Sequence, residues 1–270
     1  MAEQLKVATA GRTAPWLIGD DLRAVLRRPH FVVLSVVIIA APPVSGVVSL
    51  PGYAFDHWMS YFTVMVDWVA LTFPLLVTLL TQPRLLDEWS NTYAALTRPR
   101  VSAADYFRAR VLVSGVLAAA VFFAMTVVCF VVARLTFTDH GYGTALVAPI
   151  EGRFPLSQIW GIQPILYPVV FSAWVAVVAG TVGAWCTLVT AVVSNKFVAL
   201  AAPFVLWLAA DFALAVLGQE ELSLPPFRFH IKQQPVWTEF VGWAAIAVVT
   251  VGLWAFVRRR DYRSAGIVRT

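Results

Sequence analysis

A bundle of six helices that crosses a membrane is the fold the sequence predicts, and three observations predict it. Hydrophobic residues make up 60% of the chain and charged residues only 13%, and the mean hydropathy of +0.76 lies far above what a soluble domain needs to fill its core. The apolar residues gather into six runs, each near the ~20 residues that cross ~30 Å of hydrocarbon as a helix. Backbone groups in lipid must pair within their own segment, so helix is the default for each run.

The predicted spans are 30–49, 61–81, 110–134, 165–191, 197–217 and 237–257, each flanked by Pro, Gly or charge. The first run follows Arg27 and Arg28 with no small-residue cleavage site behind it, which predicts a retained span. With the N-terminus inside, sixteen of the 20 Lys and Arg residues fall on cytoplasmic stretches. Only Arg134, Arg153, Arg228 and Lys232 fall outside. That asymmetry predicts a multi-pass protein of the cell membrane with both termini cytoplasmic. The same distribution accounts for the net charge of +5 through loops on one membrane face, so nucleic acid is not an expected partner.

Residues 1–29 form a cytoplasmic N-terminus, 30–257 one transmembrane domain and 258–270 a basic cytoplasmic tail. In "PWLIGDDLRAVLRRPH", Ile18, Leu22, Val25 and Leu26 share one helical face, with Asp21, Arg23, Arg27 and Arg28 mainly elsewhere. The pattern fits a helix lying in the membrane interface, and equally a basic segment that orients the first span. External loops 135–164 and 218–236 are rich in Pro and aromatic residues and are expected to cap the outer face.

Several chemistries are excluded in this chain. The lysines are Lys6, Lys196 and Lys232, and none follows a Gly, so no Gly-x-x-x-x-Gly-Lys phosphate loop exists. The four histidines, His30, His57, His140 and His230, are scattered, and neither His-Glu-x-x-His nor Gly-x-Ser-x-Gly occurs. No catalytic, cofactor or metal site is expected. Cys129 and Cys186 lie inside apolar runs, where a thiol packs as a small hydrophobe.

The polar loop 82–109 between the second and third spans contains "DEWSNTYAALTRPRVSAADYF". Asp87 and Glu88 suit the start of a short helix, where carboxylates complement the helix dipole, and Pro99 stops it. Ser102 with Asp105 resembles a capping box for a second helix leading into the third span. Helix, break and helix at the cytoplasmic surface form either a docking element or a loop that only positions two spans.

Glu88, Asn91-Thr92, Leu96, Pro99, Ser102 and Arg110 follow one another as in the coupling loop of type-2 ATP-binding-cassette transporter permeases, which this sequence resembles. "VVSNKFVALAAPFVLWL", with Ser194-Asn195-Lys196 before an apolar helix carrying Pro203, is similar to that family's turn between spans four and five. Asn91 in place of the usual Gly, and Arg98-Pro99-Arg100 around the proline, depart from the pattern. The resemblance implies a permease subunit of an exporter, paired with a second permease chain, identical or related, in the lipid bilayer. Its ATP and Mg would be bound by separate cytoplasmic ATPase subunits docking on a coupling helix that includes Asp87, Glu88, Asn91, Thr92, Leu96, Arg98 and Pro99. Closure of those subunits would push the helix and pass displacement to the spans. This chain itself is then not an enzyme.

Asp67 and Asp211 are the acids deepest in apolar runs, and membrane-embedded carboxylates are costly enough to be functional candidates. Both are expected in the outer third, either facing a transport pathway or hydrogen-bonded to a neighbouring helix. An ATP-independent, proton-coupled carrier using these two acids is the alternative function. Ser172, Ala176, Gly180 and Ala184 recur every four residues in span four. The stripe predicts close helix packing, with a substrate groove as the alternative. Trp16, Trp58, Trp68, Trp89, Trp237 and Trp254 fall near span ends and are expected as interfacial anchors.

Overall fold

The computed structural model describes residues 15–49, 58–90, 103–136, 155–156, 159, 166–193, 195–219, 222–224, 226–227 and 236–259. Among them the regular structure is helical: α1 (Pro15–Leu26), α2 (Pro29–Ser49), α3 (Trp58–Thr81), α4 (Pro83–Ser90), α5 (Ala103–Thr136), α6 (Leu166–Val192), α7 (Lys196–Val216) and α8 (Val236–Arg259). Six of these, α2, α3, α5, α6, α7 and α8, are long and apolar enough to cross a bilayer.

The end of the bundle where α3 meets α4 also carries Arg23, Arg27, Arg28, Arg108, Arg110 and Lys196, and is called the basic end below. Arg134 sits at the opposite end of α5. The core is built on α3, α5 and α6, with α2, α7 and α8 packed outside it. Of the apolar stretch of α6, 61% is buried, against 17% in α7 and α8. The outer helices carry Val, Leu and Phe outward, as in Val48, Val205, Phe212 and Val248. An apolar outer surface is what lipid solvates.

Small residues set the closest backbone-to-backbone contact. A Cβ on Gly183 would stand 3.0 Å from the Ser114 carbonyl oxygen, and one on Gly115 would stand 3.0 Å from the Gly180 carbonyl oxygen. The backbones of α5 and α6 therefore touch, as small residues permit where helices associate in lipid. Toward the opposite end the same helices meet through rings. Phe62 stacks on Phe130 at 4.0 Å between centroids, and Phe171 meets both edge-on at 5.9 and 5.8 Å.

Two elements begin earlier than the hydropathy predicts. Helix α3 starts at Trp58, because Trp58 and Met59 are buried and Trp58 packs against Phe130. Helix α4 starts at Pro83, so Asp87 and Glu88 fall in its second half and not at its start. The fixed φ of proline suits a first helical position. Pro83 also lacks the N–H that would bond the Leu79 carbonyl. His30 Nε2 takes over that role, donating to Leu79 O at 3.2 Å, and so ties the start of α2 to the end of α3.

Candidate functional site

A cluster of hydrogen-bonded polar residues lies at the basic end. Helix α1 lays Ile18, Leu22 and Val25 against the bundle, and Asp21 with them. This corrects the expected pattern: Asp21 is on the packed face, and Leu26 is exposed. The cause is Arg110 on α5, whose Nη1 donates to Asp21 Oδ1 in an ion pair at side-chain exposures of 11% and 5%. Charges this buried are kept only when paired.

Gln82, at the junction of α3 and α4, is buried and reaches three spans. Its Nε2 directs two protons among three hydroxyl oxygens: Thr81 Oγ1 at 2.7 Å, Thr187 Oγ1 on α6 at 3.1 Å and, most weakly, Ser114 Oγ on α5 at 3.4 Å. Beyond it, α4 turns Leu85 and Leu86 inward. Leu85 packs with Tyr106, Phe107 and Trp254. Asp87 faces outward and accepts from Arg28 Nη1 at 3.0 Å, linking α4 to the α1–α2 turn.

Of the predicted docking residues, Asp87 and Glu88 lie on α4, and Asp87 bonds within the chain to Arg28. Asn91, Thr92, Leu96, Arg98 and Pro99 lie outside the described residues, as does Ser102; α5 begins at Ala103. In the second family-like stretch, Asn195 caps α7, its side-chain oxygen accepting from the N–H groups of Phe197 and Val198 at 2.9 and 3.3 Å.

The two intramembrane acids part company. Asp67 is exposed on α3 and makes no ion pair or hydrogen bond among the described residues. With α3 starting at Trp58, Asp67 lies ~13 Å from that end of the helix at ~1.5 Å rise per residue. Asp211 instead accepts a hydrogen bond from the Ser223 hydroxyl. Ser223 belongs to the loop after α7, and the same loop buries Phe227 against Phe73 and Phe171, at 5.9 and 6.4 Å between centroids. Through these residues the loop reaches into the bundle.

Within the small-residue stripe, Gly180 meets Gly115, while Ala176 and Ala184 are half-buried. Ser172 is fully buried. The tighter partner is Gly183, which a four-residue spacing skips. Trp58 is buried, and Trp68 donates through Nε1 to Ser45 Oγ at 3.3 Å, so both hold helices together.

Gln82, the Asp21–Arg110 pair and Glu239 escaped the sequence reading. Glu239 is 7% exposed in the first turn of α8. Gln82 stands just beyond an apolar run, where a polar residue reads as loop, and Arg110 and Glu239 stand at span starts, where a charge reads as flanking the membrane.

The fold and this polar end define an all-α integral membrane protein with six potential spans. The chain matches no protein-family model, no curated protein and no solved structure.

Proposed function

We propose that this chain is the permease subunit of an ATP-binding-cassette exporter in the cell membrane, with both termini in the cytoplasm. Separate ATPase subunits hydrolyse ATP, and the permease, paired with an identical or related chain, moves a hydrophobic or amphipathic compound outward, such as a drug, a lipid-like molecule or an antimicrobial peptide. The observation that carries this reading is α4. It is a short helix between the second and third spans, held to the bundle through Gln82 and Leu85 with Asp87 facing out. A push on α4 reaches three spans through one amide.

A second reading, a proton-coupled carrier without ATP, is favoured by the exposed carboxylate of Asp67 at membrane depth. The bond from Ser223 gives Asp211 a local role and weakens that reading.

Extraction of the full chain in mild detergent tests the choice. The expected result is a stoichiometric ATPase that stays bound and is lost when Glu88→Ala and Leu96→Ala are combined. A protein that purifies alone and moves solute under a proton gradient overturns the exporter in favour of the carrier.

A further inference from the structure

Gln82 is 1% exposed, and the bonds around it fix which way its amide points. The three hydroxyls near its Nε2 have already committed their protons. Thr81 donates to Val77 O at 2.7 Å, Thr187 to Gly183 O at 2.9 Å and Ser114 to the same oxygen at 3.0 Å. A hydroxyl whose single proton is committed acts toward other neighbours only as an acceptor. The NH₂ group must therefore face the three hydroxyls, and a flipped amide would set oxygen against oxygen. Gln82 Oε1 is turned away from them, and it meets no hydrogen-bond donor among the described residues.

Gln82 lines a partly open cavity of about 20 Å³ whose walls also include Asp21, Arg110, Leu85, Val113 and Leu117, together with those three hydroxyl residues. By the same measure one water needs roughly 10–15 Å³ and two to four polar partners. Gln82 Oε1 and the Asp21 carboxylate supply acceptors, and the Arg110 guanidinium is a donor. A cation here would be buried beside Arg110, and an anion beside Asp21, so the neutralised pair disfavours both. An apolar occupant would leave the amide oxygen facing hydrocarbon.

We infer that this cavity is a binding site for a single ordered water, held between Gln82 Oε1 and the Asp21–Arg110 pair. The water closes a polar circuit: α1 and α5 meet through the ion pair, α3, α5 and α6 meet through the amide, and the water joins the two. The turn into α4 is then a hydrated joint, able to exchange hydrogen bonds as it flexes.

Radiolytic hydroxyl labelling of the full chain in lipid nanodiscs, in ¹⁸O-enriched water, tests the site. Leu85, Val113 and Leu117 are buried at 3%, 4% and 5% exposure, close to Val69 and Val178 at 0% in the ring-packed interior. The expected result is ¹⁸O uptake at the three cavity residues several-fold above that at Val69 and Val178. Gln82→Leu removes the acceptor and is expected to bring the uptake down to the interior level, whereas Gln82→Glu retains it. Wild-type uptake no higher than at Val178 overturns the inference, and a Gln82→Leu variant that labels like wild type overturns it too. Should Gln82→Leu fail to fold, Gln82→Met carries the same comparison, and the wild-type measurement decides by itself whether water is present.

Discussion

At the basic end, α1, α3, α5 and α6 are joined by polar bonds with particular partners: Asp21 to Arg110, and Gln82 to three hydroxyls. Toward the opposite end, α3, α5 and α6 are joined by rings, with Phe62, Phe130 and Phe171 in mutual contact and Phe227 inserted from the loop after α7. A buried ion pair fixes one arrangement, because breaking it strands a charge in a poor dielectric. Ring contacts tolerate small displacements, since each edge-to-face pair adds only about 0.5–1.5 kcal/mol beyond its buried area. One end therefore specifies geometry, while the other supplies cohesion.

The largest effect is expected from splitting the ion pair. Arg110→Met leaves the Asp21 carboxylate buried without its guanidinium and should cost about 3–5 kcal/mol. Combining it with Asp21→Leu should return most of that stability, because the pair is then replaced by packed apolar groups. Thermal unfolding of the three variants in one detergent checks this; a double variant no more stable than Arg110→Met would mean that the charges themselves hold α1 in place.

Next in size is Phe227→Ala, which empties a ring site between Phe73 and Phe171. By the usual scale for buried Phe it should cost about 3 kcal/mol, and less wherever lipid tails fill the space. The informative readout is proteolysis of the loop after α7, expected to accelerate while α1 stays protected. Equal loosening at both ends would erase the contrast between them.

The smallest effect should come from Arg28→Ala. Its partner Asp87 and Arg28 itself are 60% and 40% exposed, and such pairs contribute about 0–1 kcal/mol. A melting temperature near wild type is expected. A large drop would make the link from α4 to the α1–α2 turn part of the rigid end.

The spans were legible because hydropathy is a local property, and each run carries its own signal. Partners distant in sequence were not. The periodicity of α1 marks Ile18, Leu22 and Val25 correctly, but only Arg110, 89 residues away, explains why Asp21 lies on the same face. Trp58 reads as an interfacial anchor until Phe130 covers it. The stripe in α6 includes Gly180, yet the carbonyl that crowds Gly183 belongs to Ser114 and cannot be inferred from α6 alone. In "LSLPPFRFHIKQQPVW", nothing local says that Phe227 turns into the bundle while Ser223 bonds Asp211.

The backbone contact between α5 and α6 has a mechanical consequence. Two helices whose carbonyls lie against each other's glycines cannot slide lengthwise or roll without first lifting apart, and lifting apart exposes Ser114, Thr187 and the Gly183 carbonyl that they share. The pair is therefore expected to move as one body, so relative displacement within the bundle falls on the contacts of the less buried α2, α7 and α8.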